Sequence, residues 1–160
     1  MAPSLLESFD RLVIELFGPF CRNAGLLLRK LDDGIFEIEG KLFAVRLRRS
    51  VRHYFDILAT ILPIKEANGN LEDLNAEIGL GVLAEYCGRP LPVREIVSEQ
   101  DLVSALTDIL EVADRFCLPY LLGEKLDISD VKRFIERKIA ASGVETKKYS
   151  LPKKVREEWL

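Results

Sequence analysis

Within the stretch from Leu26 to Ile64, side chains alternate with a period of two over Leu42–Arg48 and again over Tyr54–Leu62. Phe43, Val45 and Leu47 share one parity against Leu42, Ala44, Arg46 and Arg48. Phe55, Ile57, Ala59 and Ile61 share one against Tyr54, Asp56, Leu58, Thr60 and Leu62. Successive side chains of a strand point to opposite faces, so this alternation predicts antiparallel strands with one core face and one mixed face. The second run is apolar on both parities and reads as a central strand. Asp32-Asp33-Gly34 and Glu39-Gly40-Lys41 interrupt the pattern with the glycines that tight turns need for positive φ, which predicts a meander of about four strands.

On either side of this stretch the period lengthens to three and four. Leu5, Leu6, Phe9, Leu12, Val13, Leu16 and Phe17 form one helical stripe, preceded by Ser4 and Glu7 at capping-box spacing. Gly18-Pro19 is expected to stop or kink that helix, with a further turn to Ala24 and a cap at Gly25. Leu71 to Cys87 carries two patterns. Leu71, Leu74, Ile78, Val82 and Tyr86 suit a helix ending at Gly88, whereas Ile78, Leu80, Val82, Ala84 and Tyr86 alternate as a strand would. Gly79 and Gly81 would each cost a helix about 1 kcal/mol relative to alanine; helix is the preferred reading. Pro90-Leu91-Pro92 is expected to be extended, and Val93 to Val97 to be a short edge strand.

Ser98 to Asp101 opens the clearest helix, with Leu102, Val103, Leu106, Ile109, Leu110, Ala113 and Phe116 inward before Pro119. Asp130 to Ala141 is another, capped by Ser129 or Asp127, with Val131, Phe134, Ile135 and Ile139 inward and Ser142-Gly143 closing it. The expected fold is therefore α+β: an antiparallel meander with N-terminal and C-terminal helices packed on one face. Residues 1–143 form a single domain in this reading, and residues 144–160 a basic tail, docked or mobile.

Composition narrows the class. With 48% apolar and 31% charged residues, the chain has enough apolar surface for a folded core. No apolar run approaches the ~20 residues that cross a bilayer, so no membrane association and a cytoplasmic location are expected. Cys21, Cys87 and Cys117 are widely spaced and lie in or beside apolar stretches, as buried free thiols would. Neither a metal site nor a cofactor is implied. Charge is segregated: ten basic against eight acidic residues in 1–65, four against fourteen in 66–130, and nine against four in 131–160. Such a distribution can steer partners.

The densest chemistry is Arg46-Leu47-Arg48-Arg49-Ser50-Val51-Arg52-His53, four arginines and the only histidine. Alternation puts Arg46 and Arg48 on one face, and a turn after them would present Arg49, Arg52 and His53 nearby. Guanidinium forks pair bidentately with carboxylate or phosphate, which makes these five residues the candidate binding site. The competing reading is cross-strand pairing of the arginines with Glu37 and Glu39. No aromatic residue on the charged face is placed to stack on bases.

Ser50, His53 and Asp56 share one turn, which does not assemble a nucleophile, an oriented base and an oxyanion site; no catalytic residue is assigned. Gly79-Leu80-Gly81 lacks the third glycine and the strand-to-helix setting of a phosphate loop, and is read as a place of close backbone packing. Glu72, Asp73, Glu77 and Glu85 have no histidine at ligand spacing and read as a solvated face.

Three functions remain. The preferred one is a non-catalytic module that binds another protein through the sheet face or the acidic helical region, motivated by the absence of catalytic motifs, the charge segregation and an open sheet edge. The runner-up binds phosphate-containing ligands or nucleic acid at the arginine cluster, and the third is an enzyme without a sequence-local motif. A homo-oligomer is compatible with each. In the order of an N-terminal helix, a meander and C-terminal helices, the chain resembles small bacterial accessory proteins such as toxin-immunity proteins and secretion chaperones; the resemblance is one of layout and brings no motif.

Overall fold

Helix α1 (Leu5–Ala24) begins where Ser4 Oγ accepts the Glu7 N–H at 3.3 Å. It does not stop at Pro19. Phe17 and Cys21, on either side of the proline, lie on the same buried stripe as Phe9 and Val13, and their burial offsets the cost of about 3 kcal/mol that a helical proline brings. The end is set instead by Gly25 at φ 71, whose N–H reaches Arg22 O while that of Leu26 reaches Cys21 O. This is the paired closure of a Schellman motif. Such a fold is described here by a computed structural model, which covers residues 4–51, 54–64 and 77–141.

Strands β1 (Leu27–Asp32), β2 (Ile35–Glu39), β3 (Phe43–Val51) and β4 (Phe55–Pro63) pair as an antiparallel meander. A fifth strand, β5 (Ile78–Gly79), joins β4 through Ile61↔Ile78 and Thr60↔Gly79, so the order is β1-β2-β3-β4-β5. The expected four strands become five because the alternation at Ile78 is real, but it lasts two residues. Helix α2 (Leu80–Tyr86) then takes over, and the expected helix over 71–87 is helical from Leu80 onward, residues 71–76 lying outside the described ones.

The two hairpin glycines serve different ends. Gly34 has φ 73 in the β1–β2 turn, as positive φ demands. Gly40 has no positive φ; a Cβ there would stand 2.5 Å from Leu121 O, so close backbone approach requires it.

Helix α3 (Glu99–Val112) has a full capping box, with Ser98 Oγ accepting the Asp101 N–H and the Asp101 carboxylate accepting that of Ser98. The Val97 N–H, and then the Ser98 hydroxyl, hold the Asp101 carboxyl below the usual carboxylate range. Where Pro119 was expected to end this helix, a π turn (Ala113–Cys117) lets the Leu118 N–H reach Ala113 O, and α4 (Leu118–Leu121) carries on through the proline. Along this stretch Val112, Ala113 and Cys117 are buried while Leu110 and Phe116 are only partly so.

Helix α5 (Ser129–Ala141) starts where Asp127 accepts the Ser129 N–H at 2.9 Å. Its Val131 is buried, and Phe134 meets Tyr86 edge-on at 5.5 Å. Ser142, Gly143 and the 144–160 tail lie outside the described residues.

Helices α1 and α4 meet the same face of the sheet. Phe9 of α1 sits 6.2 Å from the rings of both Phe36 and Phe55, and Tyr120 of α4 packs edge-on against Phe43. Those residues share the face of Ile38, Val45, Leu47 and Ile61, all fully buried. Among the described residues no helix is long and apolar enough to cross a membrane.

Candidate functional site

The opposite face of the sheet carries the arginines, and register decides what they meet. Glu37 of β2 lies directly across from Arg46 of β3 and Arg29 of β1. Its carboxylate accepts from Arg46 Nη2 at 2.9 Å and from Arg29 Nη2 at 3.0 Å, and Arg46 Nη1 reaches Glu77 at 3.4 Å. Glu37 is 5% exposed, and the Arg46 side chain 11%. Glu39–Arg29–Glu37–Arg46–Glu77 is thus a five-member ionic ladder, buried at its centre and open at the Arg29 end.

Arg48 shares this face with Arg46, between Ile35 and Leu58. Its Nε and Nη1 are buried without a hydrogen-bond partner. Neither Glu37 nor Glu39 engages it; Glu39 meets Arg29 at 3.5 Å.

Arg49 is not in a turn, because β3 continues to Val51. One residue out of phase with Arg48, it projects from the other face and lies over Gly34, donating to Leu6 O at 2.7 Å and standing 3.8 Å from Asp10. The structure therefore brings Arg46 and Arg48 to one face and separates Arg49 from them. Arg52 and His53 lie outside the described residues, and so does any arrangement of Ser50, His53 and Asp56.

Other chemistry-bearing groups are accounted for by local contacts. Glu85 pairs with Lys138, and Glu77 with Arg46; Glu72 and Asp73 are not among the described residues. No cluster of metal-ligating side chains occurs among the described residues. The cysteines are free, with Cys21 and Cys117 buried; burial pushes the Cys21 thiol up to about 11 and that of Cys117 higher still. Cys87 is exposed, contrary to expectation, because it lies past the last turn of α2. These thiols are protonated near neutral pH and poor nucleophiles.

A second region was not anticipated. Residues 89–97 form no strand: Pro90 and Pro92 have no amide to donate, Val93 is fully exposed, and Ile96 alone is buried as an anchor. The segment bridges from α2 to α3 and leaves a cleft of about 290 Å³ beneath it, lined by Asp56 and Ile57 of β4, Gly81 of α2, Ala105, Asp108 and Ile109 of α3, and Leu91 to Arg94. Gly79 and Gly81 serve no close packing, since a Cβ at either would meet nothing within 4 Å. Arg94 pairs with Asp108 at the rim. A neighbouring cleft of about 270 Å³ shares Leu91, Pro92 and Asp108 and extends along the π turn to Arg115 and Phe116. The signal for this region in the sequence was the pair of prolines, Pro90 and Pro92, just ahead of the short apolar segment Val93–Val97.

The fold and these two regions define an α+β protein with a five-stranded antiparallel meander, one helix-covered face and one ionic face. No protein-family model, curated protein or solved structure matches the chain.

Proposed function

We propose that this chain is a non-catalytic protein-binding module, and that the cleft beside β4 is its contact surface. The observation that carries this reading is the apolar lining of that cleft, by Ile57, Leu91, Ala105 and Ile109, under a strap whose Val93 side chain stands wholly in solvent. Apolar surface rimmed by charge is the composition of a recognition site rather than of a catalytic one, which would bring a base and a nucleophile together. The ion pairs of Arg46 and Arg49 support the same reading, because they occupy two of the arginines that a phosphate site would use. A cytoplasmic setting belongs with it, supported by the three free thiols.

A second reading rests on Arg48 alone. A buried guanidinium nitrogen without an acceptor is costly, and a phosphate or carboxylate oxygen would supply one. In this reading the anion site is Arg48, not the whole Arg46–His53 run.

One experiment separates the two. The tagged protein is exposed to nuclease-treated lysate of its host, beside Val93→Asp and Arg48→Glu variants whose folding is verified by circular dichroism. A protein retained by the wild type and by Arg48→Glu but lost from Val93→Asp supports the binding module. Retention lost only from Arg48→Glu moves the contact to the anion site, and absence of any retained protein removes the module reading.

A further inference from the structure

Among the described residues no strand pairs with the outer edge of β4 before Thr60, and the edge beside the cleft selects its occupant. Arg49 sends its N–H to Gly34 on the β2 side, so the even-numbered residues of β3 face β4, and Asp56, Leu58 and Thr60 answer them. Ile57, Ala59 and Ile61 consequently direct their N–H and C=O groups outward, since each residue of an antiparallel strand points both groups to one side. Ile61 meets Ile78, but β5 ends at Gly79 and the chain turns into α2. Beyond that point Asp56 and Ile57 are the residues of β4 that line the cleft. The Ile57 N–H is held at 2.8 Å by the carboxylate of its own neighbour, Asp56.

We propose that an extended, alternating apolar and basic segment of a partner protein adds to β4 at Phe55–Ala59 as a further strand. This deepens the protein-binding reading and rests on it. Outward backbone groups recognise another backbone, which favours a peptide over a small molecule. The peptide carbonyl takes the Ile57 N–H, and the Asp56 carboxylate is released to a cation of the incoming strand. On the other face of that strand, apolar side chains enter the space beside Ala105 and Ile109. Period two thus places basic residues beside Asp56 and apolar ones in the cleft. The two lining carboxylates, Asp56 and Asp108, against the single guanidinium of Arg94 give the cleft the matching sign.

The test uses a capped hexapeptide of alternating lysine and valine, followed by amide NMR of the full chain. Saturable shifts at Ile57 and Ala59 are expected, with affinity falling about tenfold when the bonding-edge amides of the peptide are N-methylated. A glutamate–valine peptide is expected to bind more weakly than the lysine one. The variant Ile57→Pro removes one outward N–H at an edge position that tolerates proline, and is expected to lose binding while keeping the β3–β4 ladder. No saturable shift at millimolar peptide, or binding indifferent to N-methylation, overturns the strand addition. If the lysate protein is still lost from Val93→Asp in that case, the module reading stands and only the mode of docking falls.

Discussion

The two faces of the sheet are built from the same strands by opposite rules. On the helix-covered face, Phe36, Ile38, Val45, Leu47 and Ile61 are held by area and shape, and any apolar neighbour of the right volume serves. On the other, Glu37, Arg46 and Glu77 are held by one another, and each is tolerable only while its partner stays. Burial alone therefore does not say what a residue contributes. A buried leucine fails gradually as atoms are removed, whereas a buried carboxylate fails when its guanidinium is taken away.

Truncation at the centre of the apolar face has the largest expected effect. Phe9→Ala empties the space between Phe36 and Phe55 and is expected to cost about 3–5 kcal/mol in urea unfolding. A loss under about 1 kcal/mol would mean that α1 is not the principal cover of this face.

On the ionic face, Glu37→Ala leaves Arg29 and Arg46 facing each other and is expected to cost about 3 kcal/mol. The double variant Glu37→Leu/Arg46→Leu should recover much of that loss, because removing both charges also removes their desolvation. If the double variant were as unstable as the sum of the single ones, the ladder would be a set of independent contacts. Arg29→Ala removes a half-exposed partner of the same carboxylate, and about 0.5 kcal/mol is expected, diminishing with salt.

Arg48→Met sharpens the contrast from the other side. Taking away a guanidinium whose Nε and Nη1 have no acceptor should leave stability unchanged or raise it by up to ~1 kcal/mol. Under the anion-site reading, inorganic phosphate raises the melting temperature of the wild type and not that of Arg48→Met. A clear destabilisation of Arg48→Met without added anion would show that the guanidinium is already satisfied.

Much of this architecture was legible wherever the cause is local. The parity of residues 43–47 and 55–61, the turn glycine Gly34 and the capping box at Ser98 and Asp101 each act within a few residues, and each is found where the pattern put it. The same parity placed Arg46 and Arg48 on one face, and named Glu37 as a partner for the cluster. Local rules failed at Pro119, and at Pro19 they allowed a stop where the helix runs on to its expected cap at Gly25. A proline breaks one hydrogen bond, but whether the helix ends there depends on what its two sides bury together. They failed also at Arg49, because a run of arginines reads as one patch in sequence while the strand extends to Val51 and sends alternate side chains to opposite faces.

What the sequence by itself determined is the class of fold, the meander and its principal helices, since period and turn chemistry are properties of neighbouring residues. Only the tertiary structure decided which arginine is paired and which is not, that Gly40 must be glycine for the sake of Leu121, and that Asp56 and Ile57 of β4 line a cleft. Each of those depends on register and on segments distant in the chain, and the energy of a buried charge or an unpaired amide is set by whatever those segments bring to it.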